Sequence, residues 1–191
     1  MPACDVIDVW QVRTRPGEDR HAPLRAVLGR YLQDEPVFER GRRGKPRVRG
    51  EALELSFSHS GDLALVAVSP DRPVGVDVEW MRPARPVERI AQRMFAAEEL
   101  SALEALVPPA RAAAFHRCWT GKEAYVKALG TGLGHGLARF SVAGLIAGRP
   151  TAAVGDWRVA QVPAPAGHSA AVAAPGSGWR VNLRTLQVAD G

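Results

Sequence analysis

The chain has 191 residues, of which 46% are hydrophobic, and a formal net charge of +5. This length suits one compact unit or two small lobes that share a core, and the hydrophobic content is sufficient for a buried interior. The two cysteines, Cys4 and Cys118, provide neither a disulfide framework nor the spacing of a zinc site. The positive charge favours an anionic partner or substrate, such as a nucleic acid, an acidic protein or a polyphosphate cofactor.

Export and membrane signals are not evident in the sequence. The first residues lack the basic and apolar regions of a secretory signal, and no apolar run approaches the ~20 residues that span a bilayer. We therefore expect a soluble, cytoplasmic protein that does not enter a membrane.

The first half of the chain is predicted to contain four strands and one helix. Residues 5–12 form the first strand, and apolar residues at helical spacing predict a helix over residues 22–33. Residues 35–50 are rich in Arg, Gly and Pro and are expected to form a loop. Three apolar runs separated by turn sequences predict a three-stranded antiparallel meander, over residues 53–57, 63–68 and 74–80.

The second half combines helices with further strands. Two prolines within residues 81–86 mark the expected seam between an N-terminal lobe, residues 1–84, and a C-terminal lobe, residues 85–191. Three helices are predicted over residues 87–95, 96–107 and 110–129. Four strands are predicted over residues 140–145, 157–162, 169–174 and 179–186. Each half thus offers helices and a small antiparallel sheet, which predicts the α+β class.

Two carboxylates stand out in the strand over residues 74–80. Asp77 and Glu79 are two positions apart, so both project from the face opposite to Val76 and Val78. An ordinary strand with a solvated acidic face would show the same pattern. However, the neighbouring run over residues 63–68 is apolar on both faces, as in a central strand, which favours a cleft beside the two carboxylates.

The long helix carries a second acidic site. Glu123 and Lys127 are four positions apart and share one face, where a surface ion pair worth a few tenths of a kcal/mol would be the plain interpretation. That interpretation leaves Lys122 unexplained, because it falls within the apolar arc of the same helix. A buried lysine is costly unless it is paired or extends to the surface.

These carboxylates together suggest a metal site. If the carboxylates of Asp77, Glu79 and Glu123 lie close together, they repel one another unless a cation lies between them. Hard oxygen ligands suit Mg²⁺, which proteins usually hold with one or two carboxylates and substrate phosphates. The residues alone therefore predict a Mg²⁺-dependent enzyme that acts on a phosphate ester.

Two further segments could bind anions. His59 lies between serines in Phe57-Ser58-His59-Ser60-Gly61, where the ring, the hydroxyls and the backbone can all donate hydrogen bonds. Such a histidine is otherwise an ordinary turn residue. Lys45 lies in the basic loop around Gly44-Lys45-Pro46, which alone is a weak signal because solvated basic loops are common.

In combination, four motifs resemble the 4′-phosphopantetheinyl transferase family, and its surfactin-type branch in particular. They are Gly44-Lys45-Pro46, Phe57-Ser58-His59-Ser60-Gly61, Gly75-Val76-Asp77-Val78-Glu79 and Trp119-x-x-Lys122-Glu123-Ala124-x-x-Lys127. Each motif alone is weak, but their order and spacing together are specific. The resemblance implies a monomer with two pseudo-symmetric α+β lobes and an active site between them.

The resemblance also implies a reaction. Such enzymes move the phosphopantetheine arm of coenzyme A, the co-substrate, onto a serine of an apo acyl- or peptidyl-carrier protein and release adenosine 3′,5′-bisphosphate. The carrier partners would belong to polyketide or nonribosomal peptide assembly lines, and no nucleic acid would be bound.

Residue roles follow from the same resemblance. Mg²⁺, or Mn²⁺ as an alternative, would be held by Asp77, Glu79 and Glu123. Glu123 would accept the proton of the serine, with Asp77 and Lys127 as the other catalytic residues. The implied coenzyme A contacts are Arg25, Lys45, Ser58, His59, Lys122 and Lys127.

Two departures from the family pattern leave alternatives open. The segment before the first helix is shorter than usual, and His21 stands where an arginine is common. A homologue that binds coenzyme A or a carrier protein without transfer is therefore one alternative. A basic nucleic-acid-binding module is another, although the dispersed basic residues and the lack of a nucleic-acid motif speak against it. Gly121, inside the long helix, is expected to cost up to ~1 kcal/mol relative to Ala.

Overall fold

The computed structural model of the protein describes residues 5–40, 45–50, 52–82, 86–132 and 136–187. Within these ranges the chain combines helices with small sheets, which confirms the predicted α+β class. In chain order the elements are β1 (Val6–Arg13), α1 (Ala22–Leu28), β2 (Phe38–Arg40), β3 (Pro46–Val48), β4 (Glu54–Ser60), β5 (Leu63–Ser69), β6 (Gly75–Trp80), α2 (Val87–Met94), α3 (Ala97–Glu104), α4 (Pro108–Leu129), a 3₁₀ turn (Leu137–Arg139), α5 (Ala143–Ile146), β7 (Thr151–Val154), β8 (Trp157–Gln161), β9 (His168–Pro175) and β10 (Arg180–Leu186).

The first sheet has the strand order β10–β1–β5–β4. Every residue of β5 is buried, because the strand is apolar on both faces and lies between two others. Strand β10 is parallel to β1, whereas the other neighbours are antiparallel. Helix α1 covers one face of this sheet with the buried side chains of Leu24, Val27 and Leu28.

The second sheet has the antiparallel order β6–β9–β8–β7. The long helix α4 lies across β6 and β9. Its apolar residues form a core with α2, α3 and α5, and this core includes Phe95, Phe115, Tyr125 and Leu145. Strands β4 and β6 lie side by side at the seam between the two sheets.

Two glycines allow the close contacts of α4. A Cβ atom on Gly75 would lie 2.0 Å from the carbonyl oxygen of Ala124 and 2.4 Å from the nitrogen of Ala128. Only glycine lets β6 approach the helix this closely, which brings the residues after Gly75 within reach of Lys127. Gly121 likewise has a packing reason, because its Cβ would lie 2.5 Å from Cδ1 of Leu145.

The predicted meander is wrong in its third strand. Strands β4 and β5 do form an antiparallel pair, but β6 leaves them and pairs with β9 of the second sheet. Strand β10, in turn, returns to the first sheet beside β1. Each sheet therefore contains strands from both sides of residue 84, and the predicted boundary itself lies outside the described residues.

Other differences are local. Residues 35–50, predicted as a loop, contain the short antiparallel strand pair β2–β3. Residues 140–145, predicted as a strand, follow the 3₁₀ turn and enter α5 instead, and strand β7 was not predicted. Helix α4 begins at Pro108, since proline is tolerated in the first helical turn. Within the described ranges, no helix has both the length and the apolar character needed to cross a membrane.

Candidate active site

Asp77 lies at the seam, where β6 faces both β4 and α4. Its side chain is almost fully buried, with the residue 4% exposed. Oδ1 accepts a hydrogen bond from Ser58 Oγ at 2.8 Å and one from Lys127 Nζ at 2.7 Å. Lys127 Nζ also donates to Ser58 Oγ at 2.9 Å, so the three side chains form a closed triangle. The structure thus brings together three of the predicted site residues.

The second oxygen of Asp77 makes no such hydrogen bonds. Oδ2 is buried and has no hydrogen-bond partner among the described residues. Burial raises the pKa of Asp77, and the repulsion from Glu79 adds to this, while Lys127 and Ser58 act in the opposite direction. A buried carboxylate oxygen without a protein partner is an acceptor left for a cation or a donor group.

Glu79, two residues along β6, is held from another direction. Its Oε1 accepts a hydrogen bond from the indole nitrogen of Trp119 at 3.0 Å. Trp119 itself stacks on Phe115, with 6.1 Å between ring centroids, so the donor is fixed by the helical core. Trp119, the first residue of the helix motif, thus holds a carboxylate of β6 in place.

The three predicted metal ligands do not form a ready-made cluster. Among the described residues, no group of three or more His, Cys, Asp or Glu side chains is arranged to hold a metal ion. Glu123 lies partly exposed on α4, one turn before Lys127. The donor set still fits Mg²⁺, because carboxylate oxygens are its preferred ligands and Oδ2 of Asp77 lacks a partner.

A cavity of about 570 Å³ opens beside this triangle. Four of its lining residues carry basic side chains, namely His21, Arg25, Lys45 and Lys127. Its walls also contain aromatic rings, since Phe57 packs against His21 with 5.9 Å between ring centroids. A cavity with cations and aromatic rings suits a ligand that has phosphates and a flat base.

The basic residues of the cavity have internal partners. Lys45 Nζ donates to Glu54 Oε2 at 3.0 Å, and Arg25 pairs with Asp19. Burial would raise the pKa of Glu54, but hydrogen bonds from Arg47 and Lys45 lower it overall. Glu54 is thus a counter-ion that an entering phosphate could replace.

His59 lies on the other side of β4 from the Asp77 triangle, in a separate groove of about 800 Å³. Its Nε2 is 3.0 Å from Thr14 Oγ1. Burial and the nearby Arg20 lower the pKa of His59. Trp80, which is 44% exposed, and Arg82 line the same groove.

Lys122, predicted to contact coenzyme A, lies in the protein core instead. It is fully buried, and its ammonium binds Glu99 Oε2 at 2.7 Å, with Glu99 also fully buried. Nζ further donates to the carbonyl oxygens of Leu137 at 2.8 Å and Phe140 at 2.6 Å. All three ammonium protons have acceptors, so Lys122 is a structural ion-pair partner and we remove it from the predicted site.

Comparison with known proteins identifies the family. A family model described as the 4′-phosphopantetheinyl transferase superfamily matches residues 73–173, which is more than half of the chain. The chain belongs to this superfamily. The match includes β6 and α4, the two elements that carry Asp77, Glu79, Glu123 and Lys127.

Curated relatives of this transferase superfamily match over part of their length. The 4′-phosphopantetheinyl transferase HetI of Nostoc sp. is 41% identical over 117 residues, 58% of this chain and 49% of the relative. AcpT of Salmonella typhi is 38% identical over 107 residues, 56% of each chain. The transferase psf-1 of Bacillus pumilus is 37% identical over 109 residues, 56% of this chain and 46% of its own. The chain thus spans about half the length of these relatives.

Several residues around the site were not predicted from the sequence. One available signal was the alternation of serines along β4, which places three hydroxyls on one face of the strand, and all three bond to residues of β6. The partner of Lys122 and the aromatic walls depend on contacts between distant segments and had no local signal. The missed residues are Phe38, Ser56 and Glu99, while Phe57 and Ser60 were named only as members of the motif around His59.

Proposed function

We propose that this chain transfers the 4′-phosphopantetheine arm of coenzyme A to a serine hydroxyl of an apo carrier protein and releases adenosine 3′,5′-bisphosphate. The observation that carries this proposal is that Lys127 connects the buried Asp77 to the basic cavity. Its ammonium binds the buried Asp77 carboxylate and also lines the basic cavity. Membership of the transferase superfamily supports the choice of reaction.

Lys127 would act through its charge. Transfer of a phosphoryl-type group depends mainly on positioning and on neutralisation of the negative charge that develops on the phosphate oxygens. The ammonium is held by two oxygens, from Asp77 and Ser58, so its direction is fixed before a substrate binds. A pre-oriented cation of this kind needs no reorganisation during the reaction.

The nucleotide end of coenzyme A would occupy the basic cavity. Lys45 and Arg25 offer positive charge, and Phe57 offers a ring surface for the base. Lys45 would exchange its present partner, Glu54, for the 3′-phosphate. Ser58 would lie toward the Asp77 end of the same cavity, whereas His59 faces the separate groove and is not assigned a coenzyme A contact. The net charge of +5 would also favour encounter with an acidic carrier protein.

A divalent ion would be held by Asp77, Glu79 and Glu123. The unused Oδ2 of Asp77 and the carboxylate chemistry of the set support Mg²⁺, or Mn²⁺ as an alternative. When bound, such an ion neutralises the diphosphate and polarises the phosphorus for attack. Glu123, partly exposed on α4, would accept the proton of the attacking serine hydroxyl.

We further propose the surfactin-type branch of the superfamily, a monomeric state, and carrier domains of polyketide or nonribosomal peptide assembly as partners. The four motifs and their spacing support the branch. They lie at the seam, in the cavity wall and on α4 wherever the structure describes them, and Gly44 lies outside the described residues.

The decisive test measures the product directly. Purified protein is incubated with coenzyme A, Mg²⁺ and an apo carrier domain, and the intact mass of the carrier is then determined. We expect the carrier to gain one phosphopantetheinyl group, and a carrier whose acceptor serine is replaced by alanine to gain nothing. An unmodified carrier, with both acyl- and peptidyl-carrier domains as substrates, would reject the proposal.

A further inference from the structure

The seam between the two sheets is joined in an unusual way. Strands β4 and β6 lie side by side, yet the backbone pairings of the described residues join each strand only to its own sheet. Side-chain hydroxyls of β4 bridge the two edges instead. Ser56 Oγ accepts the backbone N–H of Val76 at 3.0 Å, and Ser60 Oγ accepts that of Trp80 at 2.9 Å. These two bonds bracket the part of β6 that carries its two carboxylates.

The serine between them has a different partner. Ser58 Oγ donates its proton to Asp77 Oδ1 and accepts a hydrogen bond from Lys127. Its donated proton and the bond that it accepts from Lys127 both join this side chain to the ion pair. Ser56 and Ser60 therefore hold the edges of β4 and β6 together, while Ser58 bonds to the charged residues of the site.

The two serine bonds to β6 are important because the residues of the site come from both sheets. Ser58 and His59 lie on β4 of the first sheet, and Lys45 lines the cavity beside it. Asp77 and Glu79 lie on β6, which is the first strand of the second sheet and pairs only with β9 in the described part of the chain. The distance between the two sets of residues thus depends on the seam. A misplacement of about 1 Å in an active site can cost ~100-fold in rate.

We infer that Ser56 and Ser60 are positioning residues for the β6 carboxylates and act through the backbone of β6. This inference rests on the proposed function, because it assigns them a role in the same transfer reaction. Ser56 is nearly buried, so water competes little for its bond to Val76. Ser60 Oγ also lies 3.4 Å from Glu79 Oε2, which places its proton on the side of that carboxylate.

The variants for the test are Ser56→Ala, Ser60→Ala and the double variant. Ser60→Thr keeps the hydroxyl in a residue type that suits a strand and serves as the conservative rescue. Ser69→Ala is the matched control. Ser69 is fully buried in the same sheet, at the end of β5 far from the turn that follows Ser60, and its hydroxyl bonds to Asp71.

Two readouts separate positioning from stability. The first is kcat and KM for coenzyme A, measured below the unfolding midpoint of every variant. The second is the indole N–H resonance of Trp119 in protein free of metal and substrate, assigned by its loss in Trp119→Phe. Because this N–H donates to Glu79 Oε1, its chemical shift reports the position of the Glu79 carboxylate without any activity assay.

We expect each alanine variant to lower kcat by about three- to tenfold, the scale of one lost hydrogen bond, with KM changed by less than about twofold. The double variant should lose more than either single one, and Ser60→Thr should recover most of the rate. The Trp119 resonance should move in Ser60→Ala, toward its position in Glu79→Gln. Ser69→Ala should change neither kcat nor the resonance, although it lowers the unfolding midpoint.

The inference is overturned if the double variant keeps the wild-type kcat and Trp119 resonance, or if Ser69→Ala reproduces the losses. Its failure differs from failure of the proposed function. If the wild type transfers nothing, the proposed function falls, and the Trp119 resonance alone decides the seam. A shifted resonance in Ser60→Ala then supports the positioning role of the serines, and an unchanged resonance rejects it.

Discussion

Helix α4 carries two lysines, five residues apart, in two opposite kinds of ion pair. Lys122 binds Glu99 with both residues fully buried, and each of its protons has an acceptor. Lys127 binds Asp77 with its own side chain 31% exposed, and it also borders a cavity. The first pair is closed, whereas the second reaches the surface.

The carboxylates of the two pairs differ in the same sense. Glu99 accepts the backbone N–H of Ala96 at 2.8 Å and that of Val142 at 2.7 Å, in addition to Lys122. Asp77 accepts on one oxygen only, and its other oxygen is buried without a partner in the described structure. A satisfied pair stabilises the fold, and an unsatisfied one is a place where a ligand can bind.

The largest expected effect concerns the closed pair. Lys122→Met keeps the side-chain volume but leaves Glu99 as an uncompensated buried charge, which typically costs about 3–5 kcal/mol. The free energy of unfolding, from urea titration, should fall by that amount. Adding Glu99→Gln removes the buried charge and should recover more than half of the loss. A loss below about 1 kcal/mol would contradict the structural role of Lys122.

The open pair should respond in activity rather than in stability. Asp77→Asn keeps the shape but removes the charge, and we expect the transfer rate to fall by about 100-fold or more, the scale for losing one charge-stabilising group in an active site. The unfolding midpoint should change little, because burial already disfavours the charged carboxylate. Carrier modification followed by mass spectrometry, together with thermal unfolding, provides both values. A wild-type rate would remove Asp77 from the site.

Lys45 tests how far the open site extends. Lys45→Ala should weaken binding of coenzyme A by about tenfold, as expected for a lost charge-assisted hydrogen bond. Binding of 3′-dephospho-coenzyme A should change much less, because the proposed contact is with the 3′-phosphate. Arg47→Ala is a matched control, since Arg47 also binds Glu54 but is largely exposed outside the cavity. Equal losses for the two ligands would argue against a 3′-phosphate contact.

The smallest effect is a pH dependence. Burial raises the pKa of Asp77 in the folded protein, so the folded state holds this proton more tightly than the unfolded chain does. The resulting stabilisation is complete below the unfolded pKa and is lost as the pH rises through the folded one. As the pH rises from about 4, the usual pKa of an unfolded Asp, through the raised pKa of the folded state, the wild type should therefore lose stability relative to Asp77→Asn, measured by urea unfolding. A relative gain would contradict the raised pKa.

Local patterns in the sequence were sufficient for part of this site. Alternation along β6 placed Asp77 and Glu79 on one face, and helical spacing placed Lys122 among apolar residues before its partner was known. The pairing of β6 with β9 could not be predicted, because strand pairing between distant segments leaves no local pattern. Residues 140–145 alternate like a strand, yet packing against α3 and α4 determines their structure.

One side-by-side measurement tests the central claim most directly. Lys127→Ala and Lys122→Met are compared in the carrier-modification assay at a temperature where both are folded, with rates given per folded molecule. We predict that Lys127→Ala transfers at less than about a tenth of the wild-type rate. Its unfolding midpoint should fall less than that of Lys122→Met, because Lys127 is itself 31% exposed, whereas Lys122 is fully buried. Lys122→Met should unfold at a lower temperature and transfer at close to the wild-type rate. The reverse pattern, with an active Lys127→Ala and a stable but inactive Lys122→Met, would contradict the account.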